Sequence, residues 1–238
     1  MSAENEPKQP DIGTIFASLM RHTKPMSEAD HRAYTLTAEI FPAIGRWGFP
    51  QRFHTEQPKM HPKQKTAYDK LKSKLRGKGA VIALIGPRGL GKTTLAAQFA
   101  IETAWRNRIE ATKEDGPRII QHVVYRKTAS LLARYKPIFS DFGSIETETL
   151  MESLDFLCRQ QEFLVIDELH ECDDMKVKNR LITDIVDRRY SACRDTVIIA
   201  NQTAEEFAAS AGDSIMSRLS EHGCIIPCSW PSYRSAKP

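Results

Sequence analysis

The chain has 238 residues, of which 41% are hydrophobic and 27% charged, with a formal net charge of +4. This composition is typical of a soluble globular protein, and no apolar run is long enough to cross a bilayer, so we expect a cytoplasmic protein without a membrane segment. The mild positive charge permits a nucleic-acid partner without requiring one.

The N-terminal residues differ in composition from the rest of the chain. Residues 1–11 are polar and lack an apolar rhythm, which predicts disorder, whereas spaced apolar residues over 15–44 predict short helices. A Gly- and Pro-containing stretch at 45–54 predicts a turn. We therefore expect a small, partly disordered helical extension over residues 1–46 and one main domain over residues 47–238.

A lysine-rich segment follows at residues 59–78, with Asp69 as its single acid. Two interpretations remain open. The lysines could follow a nucleic-acid backbone or flank a nucleotide. Alternatively, they form the solvated face of a helix whose Ala67, Leu71 and Leu75, at four-residue spacing, turn inward.

From Ala80 onward, short apolar strands alternate with helical segments. The predicted strands are VIALIG, RIIQHVVY, EFLVID, TVIIAN and CIIPC, and amphipathic helical stretches connect the first four. Strands without polar alternation are what a parallel sheet covered on both faces requires. The pattern predicts an α/β fold with helices on both sides of the sheet.

Residues 86–94 read GPRGLGKTT and fit GxxxxGKT between an apolar strand and an amphipathic helix. Glycines in this loop let successive N–H groups face the β- and γ-phosphates of a nucleotide, aided by the positive end of the next helix. Lys92 adds a charge, and the Thr93 hydroxyl can bind Mg²⁺. We expect ATP and Mg²⁺ as cofactors. The predicted nucleotide-binding residues are Gly86, Pro87, Arg88, Gly89, Leu90, Gly91, Lys92, Thr93 and Thr94.

Residues 163–168 read FLVIDE and place two acids at the carboxyl end of a predicted buried strand, where parallel α/β sheets hold ligands. We expect Asp167 to bind the nucleotide's Mg²⁺ through the ion's water shell, and Glu168 to orient and polarise an attacking water. An acidic helix N-cap would explain the same residues without chemistry. The phosphate-binding loop earlier in the chain favours the functional interpretation, and the pair of acids favours hydrolysis.

Two further polar residues have ambiguous patterns. Asn201 ends the strand TVIIAN, where its amide could bond the attacking water or the γ-phosphate, although asparagine is also common at turns. Arg218 lies near the end of a short helix that Gly223 closes. It could stabilise the helix C-terminus, or it could supply positive charge to the ATP of a neighbouring subunit.

Taken in order, these segments resemble the DnaC/IstB-like branch of the AAA+ ATPases, which comprises helicase loaders and transposition helper ATPases. The resemblance covers about residues 47–234 and is carried by GFPQRFH, GPRGLGKTTLAA, LVIDEL, IVDRRYSACRDTVIIANQ, SIMSRL and WPSYRS. It implies a P-loop NTPase fold of the AAA+ type with a five-stranded parallel sheet. It also implies that Asn201 is the sensor 1 residue and that Arg218 is an arginine finger acting across a subunit interface.

The resemblance further implies a homo-oligomer that assembles with ATP on single-stranded DNA. In a helicase loader the partner would be the replicative helicase, held by residues 1–46, and in a transposition helper it would be a transposase. A nucleotide-gated DNA-binding module with little turnover is a third possibility. The expected DNA-facing residues are Arg126, Lys127, Arg134, Tyr135, Lys136 and Phe139, with core packing as the alternative for Tyr135 and Phe139.

Overall fold

A computed structural model describes residues 27–114, 123–139, 144–169 and 175–231. The predicted disordered segment 1–11, the first residues of the predicted strand RIIQHVVY, and the residues of WPSYRS after Pro231 lie outside these ranges. Within them, no helix combines the length and apolar character needed to span a membrane.

The described chain forms one parallel sheet with helices on both faces. Its strands are β1 (Val81–Ile85), β2 (Val123–Lys127), β3 (Phe163–Asp167), β4 (Asp195–Ala200) and β5 (Cys224–Pro227). Its α-helices are α1 (Glu28–Thr35), α2 (Phe41–Arg46), α3 (Lys65–Lys74), α4 (Lys92–Glu114), α5 (Thr128–Tyr135), α6 (Ile145–Arg159), α7 (Met175–Ser191), α8 (Ala204–Ala211) and α9 (Asp213–His222). Short 3-10 turns cover Gln51–Phe53, Pro62–Gln64 and Lys136–Phe139, and a π-helical turn covers Leu36–Ile40.

The five strands lie in the order β2-β3-β4-β1-β5, and all neighbours are parallel. The predicted five-stranded parallel sheet is therefore confirmed. Because β4 lies between β1 and β3, the residues that follow these three strands meet at one edge of the sheet. This edge contains the phosphate-binding loop, the two acids and Asn201.

Alternate residues of β1 pack into different cores. Ile82 and Leu84 belong to a cluster with residues of α2, α3 and α4. Val81, Ala83 and Ile85 belong to a second cluster with residues of α5 to α9. Both faces of the sheet are thus buried, which explains why the strands are continuously apolar.

The residues on either side of position 46 share one core. Ile40 and Ile44 are fully buried, and they pack in the same cluster as Trp47 and Phe49 from the predicted turn. The predicted turn therefore contributes aromatic side chains to the face of the sheet that α4 covers. The division into 1–46 and 47–238 stays a prediction, but residues 40–46 pack directly on the main domain.

Helix α3 has the inward face that its spacing predicts. Ala67, Leu71 and Leu75 are buried, whereas Lys70 and Lys74 are exposed. The helix therefore packs as the solvated-face interpretation predicts. Whether the exposed lysines also contact a nucleic acid stays a prediction.

A buried arginine from the IVDRRY segment joins the amino ends of the strands. Arg189 is fully buried, and its guanidinium donates to the carbonyl oxygens of Leu157 and Gln161 at 2.9 Å and of Asp195 at 2.6 Å. Its Nε donates to the Thr196 hydroxyl at 2.9 Å. Burial lowers the pKa of Arg189 to about 10, so the side chain stays charged near neutral pH.

Candidate nucleotide-binding site

The loop between β1 and α4 has the backbone of a phosphate-binding loop. Gly86, Gly89 and Gly91 have φ angles of 131°, 85° and 77°, in the region that glycine adopts without steric cost. Helix α4 then begins at Lys92, so its first N–H groups and its positive end face the loop. The loop can therefore surround phosphate oxygens with backbone donors.

Lys92 is buried at the base of this loop. Its Nζ donates to the carbonyl oxygens of Gly86 at 2.6 Å and Pro87 at 2.8 Å. Burial lowers the pKa of the Lys92 ammonium, because the charged form loses water in this position. A bound phosphate would give this cation a negatively charged partner in place of neutral carbonyl oxygens.

Asp167, the last residue of β3, is the centre of a hydrogen-bond network. Its Oδ2 accepts from the Thr93 hydroxyl at 2.8 Å and from the Tyr125 hydroxyl at 2.7 Å. Its Oδ1 accepts from the backbone N–H of Glu168 at 2.7 Å. The structure thus brings together Thr93 and Asp167, the two residues predicted to bind Mg²⁺. A hydroxyl and a carboxylate oxygen in contact fit a hard cation that takes its other ligands from water and phosphate.

Tyr125 is a site residue that the sequence analysis missed. Burial and the neighbouring Asp167 carboxylate raise the pKa of its phenol, so the hydroxyl remains a proton donor. Its ring lies 5.0 Å from that of Phe49, and its backbone N–H donates to the Trp47 carbonyl oxygen at 2.8 Å. The segment GFPQRFH therefore packs against β2, beside the nucleotide site. The contact with Asp167 depends on strand register, which a local pattern does not reveal.

Glu168 has two unusual features. Its φ angle is 59°, in the left-handed region that costs a non-glycine residue of order 1 kcal/mol and that is often found at functional sites. Its carboxylate lies 3.0 Å from the Nζ of Lys127 at the end of β2. The side chains of Lys127 and Glu168 are 48% and 30% exposed, so the pair lies at the mouth of the site where solvent or ligand can compete.

A cavity of about 910 Å³ connects these groups. Its volume falls within the range of ~300–1,000 Å³ that is common for small-molecule sites. Asn201, after β4, lines the cavity, so the predicted sensor and the acids face one space. The lining also includes Gly48, Pro50, Arg52, Lys59, Arg88, Lys92, Thr93, Tyr125, Arg126, Lys127, Asp167 and Glu168.

Arg218 lies outside this cavity lining, on α9. Its guanidinium lies over the Tyr190 ring at 4.6 Å, and its Nε is 3.5 Å from Asp187 Oδ1. Its side chain is 32% exposed. The arginine is thus positioned by α7 rather than by the loop of its own chain.

The residues expected to face DNA occupy different environments. Tyr135 is buried in the core, as the core-packing alternative predicted, and Phe139 packs against that core. Arg126 donates to the carbonyl oxygen of Tyr125 at 2.8 Å, and both Arg126 and Lys127 line the nucleotide cavity. Arg134 donates to the Ser153 hydroxyl at 2.7 Å. Tyr135 thus belongs to the core, Arg126 and Lys127 lie at the nucleotide cavity, and a DNA-facing role for the basic residues stays a prediction.

Comparisons with known proteins agree with the motifs. The family model described as IstB-like ATP binding protein matches residues 71–237. The replicative helicase loader DnaC of Escherichia coli K12 is 29% identical over 151 residues, which cover 63% of this chain and 54% of that protein. This chain thus spans about half the length of the curated relatives it matches.

Solved structures of replication proteins share the fold. A crystal structure of the DnaC helicase loader has a TM-score of 0.50 and 21% identity, and the match covers 73% of this chain and 94% of that one. Domain III of the Thermotoga maritima replication initiation protein DnaA has a TM-score of 0.52 and 17% identity, over 74% of this chain and 66% of that one. The predicted AAA+ type of α/β fold is confirmed.

Proposed function

The chain belongs to the IstB-like ATP-binding proteins, and we propose that it is an ATP-hydrolysing loader of a replicative helicase. The observation that carries the hydrolytic part is the convergence of Lys92, Thr93, Asp167 and Glu168 on one cavity. The similarity to a helicase loader over 63% of the chain supports the choice of process.

Each group in the cavity has a defined task in this proposal. The backbone donors of the loop and Lys92 would bind the β- and γ-phosphates, and Thr93 and Asp167 would hold Mg²⁺, Asp167 through the ion's water shell. When bound, the ion would supply positive charge beside the phosphate oxygens. Tyr125 orients Asp167 through its hydroxyl, which donates to Oδ2 at 2.7 Å.

Glu168 is the proposed general base. Its carboxylate accepts a proton from the water that attacks the γ-phosphate, and Asn201 orients that water or the phosphate by hydrogen bonding. The Lys127 ammonium, 3.0 Å from the carboxylate, competes with a water molecule for the same oxygens. Weakening this contact would therefore favour a water on Glu168.

Replacing Glu168 by Gln tests the hydrolytic assignment. The amide cannot accept the proton, so we expect the steady-state ATPase rate to fall by about 100-fold or more, the usual contribution of a general base. Affinity for a non-hydrolysable ATP analogue should be unchanged, as measured by titration. An unchanged ATPase rate in the presence of single-stranded DNA would contradict the assignment and would favour a nucleotide-gated binding module.

Arg218 is the proposed arginine finger for a neighbouring subunit. Its partly exposed position outside the cavity of its own chain is compatible with action in trans. We expect Arg218→Ala to lower ATPase activity by about 10³-fold or more with little change in nucleotide affinity. Mixing Arg218→Ala with Lys92→Ala subunits should partly restore activity, because some interfaces then combine an intact loop with an intact arginine. Mixtures that stay inactive would indicate a structural arginine.

Single-stranded DNA and the cognate replicative helicase are the proposed partners. The exposed basic residues of the α3 region, including Lys70 and Lys74, offer a surface for the DNA backbone. Changing both lysines to Glu should weaken single-stranded DNA binding and reduce the slope of its salt dependence by about 1.4 units, at about 0.7 units for each lost phosphate contact. Unchanged binding would remove this surface from the proposal.

A transposition helper is the second candidate, because the matching family model is described as IstB-like. The full-length chain should capture the cognate replicative helicase in a pull-down with ATP if it is a loader, and a transposase encoded beside its gene if it is a helper. Failure to capture the helicase together with capture of the transposase would replace the first candidate by the second.

A further inference from the structure

The carbonyl oxygen of Leu90, inside the phosphate-binding loop, accepts two side-chain hydrogen bonds. Gln64 Nε2 donates to it at 2.8 Å, and Trp230 Nε1 donates at 2.6 Å. Gln64 is fully buried and Trp230 is 9% exposed. The two donors come from the turn before α3 and from the segment after β5, so the loop is held by parts of the chain that are distant in sequence.

This arrangement determines how one peptide group of the loop is oriented. The Leu90 carbonyl and the Gly91 N–H belong to the same planar peptide unit, and in a trans peptide they point in opposite directions. Because the oxygen is directed towards Gln64 and Trp230, the N–H is directed away from them. Gly91, Lys92 and Thr93 line the nucleotide cavity, so this N–H is available to a phosphate oxygen.

The Gln64 amide and the chain segment that carries Trp230 each form a further hydrogen bond. The Gln64 side-chain oxygen accepts from the backbone N–H of His61 at 2.9 Å, which fixes the orientation of the amide. Before Trp230, the backbone N–H of Cys228 donates to the Ile85 carbonyl oxygen at 2.8 Å, immediately ahead of the loop. The segment after β5 therefore lies against the loop at both of its ends.

Close packing at the loop agrees with this role. A Cβ atom added to Gly91 would lie 2.5 Å from Gln64 Nε2, and one added to Gly86 would overlap the Cys228 carbonyl oxygen. At Gly86 the close approach of the Cys228 backbone is thus a second reason for glycine besides φ, and at Gly91 an added Cβ would displace the Gln64 amide.

We propose that Gln64 and Trp230 are positioning residues for ATP binding, which hold the Leu90–Gly91 peptide so that its N–H faces the phosphates. Neither side chain lines the nucleotide cavity, so both act through the loop. The proposal requires only that the loop binds ATP, and it is independent of the helicase, transposase or DNA partner. It also makes Trp230 a reporter of whether nucleotide occupies the loop.

Trp230→Phe and Gln64→Met test the proposal by removing each donor while keeping most of the side-chain volume. We expect each variant to bind a non-hydrolysable ATP analogue about 3- to 10-fold more weakly, the effect of one lost hydrogen bond. The matched controls are Trp105→Phe and Gln98→Met. Trp105 lies on α4, about 20 Å from the start of that helix at the loop, and the Gln98 amide donates to Glu102. Both controls should retain wild-type affinity.

Thermal unfolding without nucleotide separates positioning from a general structural role. Affinity should be measured well below the unfolding temperature of each variant, so that only folded protein is compared. Weaker binding by folded Trp230→Phe and Gln64→Met, with wild-type affinity in the controls, supports positioning. Wild-type affinity in both folded variants would overturn the proposal, whatever their unfolding temperatures.

Intrinsic fluorescence provides a readout that does not depend on affinity. Saturating ATP analogue should change the tryptophan emission of the wild-type protein, because the Trp230 indole N–H is bonded to the loop that contacts the phosphates. The change should persist in Trp105→Phe and be clearly smaller in Trp230→Phe, in which Trp47 is the remaining tryptophan near the site. A change that persists in Trp230→Phe with equal amplitude would show that Trp230 does not respond to the loop, and it would contradict the proposal.

Discussion

The two ends of the central sheet both carry buried charge, but they satisfy it in different ways. At the amino ends of the strands, Arg189 donates to three carbonyl oxygens at 2.9 Å or less and to a hydroxyl. Beside it, the Asp195 carboxylate accepts from the backbone N–H groups of Gly77, Lys78 and Ala80 at 2.7–3.1 Å. These charges are enclosed by the protein's own backbone.

At the carboxyl ends, the charged side chains and several of their partners face a cavity. Lys92 donates to two carbonyl oxygens of a loop that is open to solvent, and Asp167 accepts from side chains that line the same space. A buried charge surrounded by backbone stabilises the fold, whereas one beside an open cavity is free to exchange its partners for a ligand. The comparison therefore separates a structural end of the sheet from a ligand-binding end.

The largest expected effect is on stability, from Arg189→Met. Methionine extends only as far as the arginine Nε and donates no hydrogen bond, so several buried carbonyl oxygens would lose their partners. We expect a loss of about 3–5 kcal/mol in the free energy of unfolding, as is usual when one member of a buried charged network is removed. Thermal unfolding should show a midpoint lowered by about 10 °C.

The neighbouring residue provides the control for this change. Arg188 is partly exposed and forms an ion pair with Asp184 at 2.9 Å on the same helix. Arg188→Met should cost less than about 1 kcal/mol, because partly exposed ion pairs contribute little. Equal losses in the two variants would mean that the amino end of the sheet does not depend on the buried guanidinium.

Lys92→Met should have the opposite effect on stability. Burial lowers the pKa of Lys92 in the folded protein relative to the unfolded chain, so the charged form is disfavoured by folding. This penalty is fully present below the folded-state pKa and is lost as the pH rises past the unfolded-state pKa. At neutral pH the variant should therefore unfold at a slightly higher temperature than the wild type, while ATP affinity falls by about 10- to 100-fold with the loss of a charged donor.

Two measurements sharpen this expectation. The stability gain of Lys92→Met should shrink as the pH is raised towards the lysine range, because the wild-type penalty disappears there. Lys74→Met, which removes an exposed lysine of α3, should leave ATP affinity unchanged. If Lys92→Met is destabilised at neutral pH, the Lys92 charge stabilises the fold, as the Arg189 charge is expected to do.

The sequence predicted most of the residues that form the ligand-binding end, but it did not predict the contacts between them. GPRGLGKTT and FLVIDE are local patterns, so the sequence predicts the loop, Asp167 and Glu168 directly. Tyr125 and Asp167 are 42 positions apart, and their contact depends on the register that pairs Tyr125 with Val165 and Lys127 with Asp167. No local pattern encodes that register. The same holds for Trp230, which is 140 positions from the Leu90 carbonyl that it contacts.

Composition was misleading where aromatic residues occur in a turn-like segment. The glycines and proline of residues 45–54 predict a turn, and the chain does form short turns there. Trp47, Phe49 and Phe53 are nevertheless buried in the core beside α4. Tyr135 is a second example. Composition made it a candidate for contacting DNA, but its position on α5 directs its side chain into the core. Side-chain direction depends on packing between distant elements, which composition does not report.

The smallest expected effect concerns the Lys127–Glu168 pair at the mouth of the ligand-binding end. Lys127→Ala frees the Glu168 carboxylate from a cation at 3.0 Å. An exposed ion pair is worth about 0–1 kcal/mol, so we expect the basal ATPase rate to rise by up to about 5-fold, with an unchanged unfolding temperature. Lys59→Ala, which removes another exposed cation of the same cavity, should leave the basal rate unchanged. A rate that falls in Lys127→Ala alone would show that Lys127 assists Glu168 during turnover. The ion pair would then be part of the working site, and it would not be a contact that a ligand replaces.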